Sequence, residues 1–551
     1  MASITQNPLQ CASKALGTVN VRLGAFQPIV LVLVSVGGTV VFLRVRDLIR
    51  RSEKPIHKRL LAYGFSWLRS LPPVRQKIDE KLAEVRAVLC RSIHECDSQL
   101  DFVRELPVAP MKRENIARRA DEYFALNRRF DFLAGRVSGT VYTNLEEDHM
   151  ELLTDIFKQY AFTNPLHPDV FPGCRKMEAE VVRIMANLFH GSDKACGTMT
   201  SGGTESIILA CFASRNRARM RGISDPVIVA PVSAHAAFEK AADLMGIRIR
   251  HVPVDSFTGA VNVKAIASAI SSDTCLLVGS APNFPTGTID DIPAIAKLGQ
   301  LYDIPVHVDA CLGGLLIAFA EEIGLSIPFF DFRLPGVTSI SCDTHKYGYA
   351  PKGTSTILYR SAEYLHYQYF SVTDWPGGIY ATPTLSGSRA GLNIALTWAT
   401  LLYFGRDGYI ARARQICEAT RHLARSIASL PGVTLVGRPD VSVVAFRSTE
   451  FNIYAIADKL NQRGWNLNAL QSPDSIHFCL TYNQARIEII KEFVKNLQEV
   501  CEEISISPKK GADSHTAGIY GMTAQIPDKS LVDEVTHIYL DICYATPKTL
   551  D

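Results

Sequence analysis

From residue 152 to about residue 401 the chain alternates short β-branched runs with stretches of helical period. The runs include Val227-Ile228-Val229, Cys275-Leu276-Leu277-Val278, Val306-His307-Val308 and Thr338-Ser339-Ile340, separated by helical segments such as 234–245 and 292–302. Apolar strands alternating with helices predict a mostly parallel sheet covered by helices. In such a sheet the ligand binds at the carboxyl ends of the strands.

Two chemically distinctive residues fall at such ends. Asp309 closes the run at 306–308, and Asp343-Thr344-His345-Lys346 follows the run at 337–340. A lysine at the end of a buried strand is costly unless its amine has a covalent or ionic use. Upstream, Thr200-Ser201-Gly202-Gly203-Thr204-Glu205-Ser206 runs straight into the apolar, helix-forming Ile207-Ile208-Leu209-Ala210. Two glycines let backbone N–H groups approach an anion, and Thr204 adds a hydroxyl at the positive end of a helix dipole. Taken alone, that segment also reads as an ordinary glycine turn with a threonine N-cap. Together, the lysine, the carboxylate and the phosphate cup are what pyridoxal phosphate requires: an amine for its carbonyl, an acid for its ring nitrogen and an anion site.

Composition narrows the class. The 551 residues are 47% apolar, enough for a large core and at least two domains, and the net charge of +3 gives no argument for nucleic acid. Thirteen cysteines are scattered without a C-x-x-C pair or a ligand-like His/Cys cluster, so neither a disulfide framework nor a metal site is expected.

Between Arg22 and Arg44 lie 21 residues without a charge, 23–43. That matches the ~20 residues of a membrane-spanning helix and exceeds the h-region of a signal peptide. Arg44, Arg46, Arg50, Arg51, Lys54, Lys58 and Arg59 crowd its C-terminal side, against Lys14 and Arg22 on the other. The positive-inside rule then puts the bulk of the chain in the cytosol. The expected organisation is a lumenal segment 1–22, a transmembrane helix 23–43, a juxtamembrane linker and helix 44–100, a catalytic large domain 101–405 and a smaller α+β domain 406–551. Within the linker, 56–71 is amphipathic and 74–100 has helical period; a polar, irregular stretch is expected from there through Tyr142. The small domain should hold helices 411–429, 453–463 and 483–503 and strands 441–446 and 475–480.

These residues resemble a known family. His307-Val308-Asp309-Ala310-Cys311-Leu312-Gly313-Gly314, the run from Ser341 through His345-Lys346 to Tyr349-Ala350-Pro351-Lys352-Gly353, and Gly377-Gly378-Ile379-Tyr380 resemble the sphingosine-1-phosphate lyases. So do Asn164-Pro165-Leu166-His167-Pro168-Asp169 and Gly387-Ser388-Arg389. A His-Lys pair alone would also suit amino-acid decarboxylases; Lys352 six residues after Lys346 is the lyase-like version. The resemblance implies an α/β protein of the pyridoxal-phosphate transferase fold type I, aspartate-aminotransferase-like. It also implies a homodimer with shared active sites, anchored in the endoplasmic reticulum membrane with its catalytic domain cytosolic.

The same resemblance implies retro-aldol cleavage of a phosphorylated long-chain base to a fatty aldehyde and phosphoethanolamine. Lys346 would hold the resting cofactor as an imine, Asp309 would pair with its ring nitrogen and His235 would stack on its face. Gly203, Thr204 and His345 would hold its phosphate, with Gly387 and Ser388 reaching in from the neighbouring subunit. Tyr142, Asn164, His167 and Lys352 would bind the substrate phosphate, and Tyr380 could supply an acid or base. The base that takes the substrate hydroxyl proton is left open among Lys346 after release, Lys352, a tyrosine and the cofactor phosphate. The competing expectations are a pyridoxal-dependent amino-acid decarboxylase, which would use the same Lys346, Asp309 and His235, and a membrane scaffold that binds no cofactor.

Overall fold

The structure is a computed structural model that describes residues 35–40, 56–506 and 530–547. The chain divides into two compact units, Met1–Gln76 and Lys77–Asp551. In the first, residues 35–40 are helical and exposed, and a helix spans Ile56–Ser70. Most of the apolar run 23–43 and the basic stretch after it lie outside the described residues, as does the segment 1–22. Among the described residues no helix is long and apolar enough to cross a membrane.

The second unit is built on a seven-stranded sheet. Its strands are β1 (Cys196–Thr200), β2 (Val227–Pro231), β3 (Arg248–Val252), β4 (Thr274–Ser280), β5 (Val306–Asp309), β6 (Val337–Cys342) and β7 (Ser355–Tyr359), in the order β1-β7-β6-β5-β4-β2-β3. Four of the pairings are parallel, and β7 runs antiparallel to both of its neighbours. Every residue of β2, β4, β5, β6 and β7 is buried, because helices cover both faces and no side of the strand meets water. Tyr380 belongs to a short hairpin, β8 (Phe370–Val372) with β9 (Tyr380–Thr382).

A 38-residue helix, Gly391–Ala428, kinks at Gly405, whose φ of 55° lies in the left-handed region that glycine tolerates. Before the kink Ile394, Leu401 and Phe404 join the core of the large sheet; after it Leu423 and Ile427 join a second core. That second core lies against an antiparallel sheet of β10 (Val433–Val436), β11 (Val443–Ser448), β12 (Asn468–Leu470) and β13 (Ser475–Cys479), ordered β10-β11-β13-β12. It centres on Trp465, whose ring meets Phe493 edge-on at 5.1 Å. A fully buried aromatic of this kind contributes roughly 2–3 kcal/mol by area alone.

Two sequence expectations shift. The stretch expected to be irregular up to Tyr142 contains a helix, Arg113–Phe124, and a 3-10 turn, Ala125–Arg129. Its apolar face, Ile116, Ala120 and Tyr123, is short and none of it is buried, so the segment as a whole reads as polar. The helix expected from 483 spans Ile487–Ile506, because Thr481 through Gln484 form a turn in which the backbone N–H and hydroxyl of Thr481 both donate to Gln484 Oε1, each at 2.6 Å.

Candidate active site

Four segments converge at the carboxyl ends of the parallel strands. β1 ends at Thr200 and leads through Ser201-Gly202 into the helix Gly203–Met220; β2 leads to His235; β5 ends in Asp309; β6 leads into Asp343 to Lys346. Between them lies a cavity of 310 Å³ lined by Gly202, Gly203, Thr204, His235, Cys311, Asp343, His345 and Lys346 among others.

Lys346 Nζ lies 2.9 Å from Asp343 Oδ2. Burial pushes the lysine pKa down, but the Asp343 carboxylate, Cys311 and Tyr142 together raise it above its ordinary value. Burial likewise pushes Asp343 up, and Lys346 and His345 pull it below the usual carboxylate range. Each charge therefore depends on the other, and removing one leaves the second desolvated without compensation. His345 Nδ1 accepts from the Thr354 N–H at 3.1 Å, which leaves Nε2 as the N–H, 3.5 Å from Asp343 Oδ2. Burial lowers the His345 pKa, with Asp343 opposing. His235 Nδ1 accepts from the Ala237 N–H at 3.1 Å, so its Nε2 carries the proton as well.

Asp309 lies just behind the lining. The Cys311 N–H donates to its Oδ1 at 3.0 Å, and Cys311 faces the cavity. Glu205 ties the helix start to its surroundings: one oxygen accepts from the Ser201 N–H at 2.7 Å and the other from the Leu385 N–H at 3.2 Å.

The fit to pyridoxal phosphate rests on two features. Asp343 Oδ1 and Thr344 Oγ1 are buried without a hydrogen-bond partner, so polar capacity is unspent at this end of β6. The cavity is also opened by the missing side chain of Gly203: a Cβ there would stand 2.7 Å from Asp343 Oδ1 and 2.9 Å from Cys311 Sγ. A glycine-lined helix start beside a lysine and a buried acid suits a phosphorylated aldehyde with a basic ring nitrogen.

Of the residues expected for the substrate phosphate, Lys352 and Tyr142 are brought together, while Asn164 and His167 stand apart. Lys352 Nζ sits 4.9 Å from the centre of the Tyr142 ring, a cation–π contact. Packing around the ammonium and the nearby charge of Lys346 lower its pKa. Tyr142 is buried edge-on against Tyr347 at 4.8 Å, and burial pushes its phenol pKa up. Asn164 Nδ2 donates to Ser388 Oγ at 3.1 Å, while its Oδ1 accepts from the Arg389 N–H at 3.2 Å. Ser388 lines a second cavity of 190 Å³ that shares Ser201 and Glu205 with the first. Gly387 packs under the Tyr380 hydroxyl, which a Cβ there would overlap. His167 is exposed in a turn and lines neither cavity, and Tyr380 and Gly387 do not line the first one. Asp343 and Glu205 hold the site together without having been singled out from sequence. An acid three residues before the lysine on the same loop was the available signal for Asp343.

Comparison with known proteins follows the same lines. The family model described as pyridoxal-dependent decarboxylase conserved domain matches residues 139–449. A Drosophila melanogaster protein named sphingosine-1-phosphate lyase is 45% identical, covering 88% of this chain and 88% of its own. The Rattus norvegicus sphingosine-1-phosphate lyase 1 is 41% identical over 97% of this chain and 93% of its own. Among solved structures, a Burkholderia pseudomallei sphingosine-1-phosphate lyase superposes with a TM-score of 0.73 at 38% identity, covering 81% of this chain and 98% of that one.

Proposed function

The chain belongs to the pyridoxal-dependent decarboxylase family and, within it, to the sphingosine-1-phosphate lyases, and on that premise we propose that it cleaves phosphorylated long-chain bases to a fatty aldehyde and phosphoethanolamine. One observation carries this reading beyond the comparisons: the Lys346 ammonium, held 2.9 Å from Asp343, in a cavity whose opposite wall is a glycine-opened helix start. When bound, pyridoxal phosphate supplies an electron sink for the pair of electrons left as the bond between the amine-bearing and hydroxyl-bearing carbons breaks.

The chain's own residues do the rest. Lys346 would hold the cofactor covalently until the substrate amine displaces it. Once free, Lys346, its pKa raised by Asp343 together with Cys311 and Tyr142, would deliver a proton to the carbon from which the aldehyde departs, while the substrate hydroxyl proton would pass to Lys352, a tyrosine or the cofactor phosphate. Asp309 would pair with the ring nitrogen, His235 would cover the ring face, and the Gly203 backbone, Thr204 and His345 would bind the cofactor phosphate. Lys352 would meet the substrate phosphate as a point charge with Tyr142 beside it, and Asn164 and His167, which stand apart from that pair, are kept as substrate-phosphate candidates on the family resemblance alone.

Gly387 and Ser388 are assigned to the neighbouring subunit's site in a homodimer, and Tyr380 remains a candidate acid or base. Supporting that assignment, neither Gly387 nor Ser388 lines the 310 Å³ cavity of its own chain, Ser388 facing the adjoining 190 Å³ cavity instead. Residues 23–43 are assigned as a single anchor in the endoplasmic reticulum membrane with the catalytic domain in the cytosol. The support is the uncharged 21-residue run, the basic flank after it, and a substrate whose alkyl chain partitions into bilayers.

The test is incubation of the purified protein with a long-chain base phosphate, reading out aldehyde and phosphoethanolamine beside the visible spectrum and a Lys346→Ala control. Aldehyde that disappears in the variant, from a coloured protein, is the expected result. A coloured protein that makes no aldehyde but releases carbon dioxide from a carboxylated amine would transfer the chain to the decarboxylase reading, and a colourless one would end both.

A further inference from the structure

His307 has no part in the chemistry described so far, yet it is fully buried in the middle of the sheet. β5 and β6 run parallel in a register that pairs His307 with Ser339 and Asp309 with Ser341. Residues two apart on a strand share a face, so all four side chains project from one side of the sheet at the strand ends beneath the cavity. Their contacts form a line: Ser339 Oγ to His307 Nδ1 at 2.9 Å, His307 Nε2 to Ser341 Oγ at 3.0 Å, and Ser341 Oγ to Asp309 Oδ1 at 3.4 Å. The ring of Phe238 closes the edge of the imidazole at 5.9 Å.

The direction of the line is fixed at one end. The Ser341 hydroxyl donates to Asp309 Oδ1, so the Ser341 oxygen is left to accept from His307. His307 must then carry its proton on Nε2, and its Nδ1 accepts from Ser339. Burial pushes its pKa down to about 4, with Asp309 pulling the other way, so the ring is neutral at physiological pH. Three hydrogen bonds thus point the same way and polarise one another toward Asp309. A neutral donor strengthens the carboxylate's environment without placing a second cation beside it to compete for its charge. An apolar residue would fill this core position at lower desolvation cost, so packing alone does not account for the histidine.

We propose that His307 is a positioning residue for Asp309, acting through Ser341 to orient its carboxylate toward the cofactor ring nitrogen. This rests on the reading that Asp309 is the partner of that nitrogen.

The experiment uses the full-length protein reconstituted with pyridoxal phosphate. Wild type, His307→Leu, His307→Gln, Ser341→Ala and Asp309→Asn are compared by cofactor dissociation constant and by the pH titration of the visible band. Loss of the relay in His307→Leu or Ser341→Ala should weaken cofactor binding roughly tenfold, the scale of one hydrogen bond to a charged group. Both should move the midpoint of the band in the same direction as Asp309→Asn. Glutamine puts an amide N–H where the imidazole Nε2–H stands, so His307→Gln should recover affinity to within about threefold of wild type. An unchanged affinity and midpoint in Ser341→Ala, with Asp309→Asn shifted, overturns the proposal even where His307→Leu fails to fold. An Asp309→Asn protein indistinguishable from wild type removes the assignment of Asp309 itself, and the relay with it.

Discussion

A Cβ on Gly203 would stand 2.7 Å from Oδ1 of Asp343, a buried oxygen that accepts no hydrogen bond. The two residues follow strands β1 and β6, which are separated in the sheet by β7. The missing side chain at the start of one helix is therefore the space that the carboxylate of another loop requires. The same carboxylate holds Lys346.

Gly203→Ala should accordingly act on Lys346 without touching it. The methyl displaces Asp343, at a cost of about 1–3 kcal/mol for overpacking. Bound cofactor per chain, measured from absorbance after dialysis, should fall sharply while circular dichroism stays native. Full cofactor content in this variant would contradict the placement of the phosphate cup.

Lys352→Gln should separate substrate binding from cofactor binding. Loss of a point charge on a phosphate is expected to raise KM for the long-chain base phosphate roughly ten- to a hundredfold, with the visible spectrum unchanged. A spectrum lost together with activity would move Lys352 from the substrate to the cofactor.

Acid should destabilise the protein in a defined window. His307 and His477 are both lowered by burial from 6.5 to about 4. Between those values the unfolded chain binds their protons and the folded one does not, so stability falls as pH falls from about 6.5 toward 4, by up to about 3 kcal/mol per group. Asp290 works against this: burial raises it from 3.8 to about 6, and the folded state gains as that carboxyl protonates. Asp290→Asn should therefore steepen the loss between pH 6 and 4 in denaturant titrations. A shallower loss would show that the sign is wrong.

Deleting residues 1–43 should release the protein from membranes and leave kcat on detergent-solubilised substrate within about twofold of wild type, because an anchor that folds separately contributes nothing to the site. Loss of cofactor binding in the truncated protein would argue against an independent anchor. Retention on sedimented membranes would argue against residues 23–43 as the attachment.

Much of the site was legible because its residue types are costly elsewhere. Asp309 and Lys346 each follow a strand-like run, and a buried lysine or acid at such a place needs a partner. Helix 292–302 was readable to the residue, since an apolar face packs on the sheet. The helix Arg113–Phe124 was not read, because its short apolar face lies in a stretch that is polar overall. His167 and Tyr380 show the opposite limit. Resemblance to the family's motifs selected them, but neither lines the cofactor cavity of its own chain, and a motif match along a sequence says nothing about which loops meet.

The order of strands and helices, the strand ends that carry Asp309 and Lys346, and the glycines that open the helix at Gly203 were determined by the sequence alone, because hydrophobic period and glycine's lack of a side chain act locally. Tertiary structure alone decided that Asp343, rather than Asp309, is the ion-pair partner of Lys346, that Glu205 ties two loops together, and that His307 reaches Asp309 through a serine on the next strand. Those relationships depend on sheet register and on which loops the strand order brings side by side. Both are set by packing across hundreds of residues, not by the residues that end up in contact.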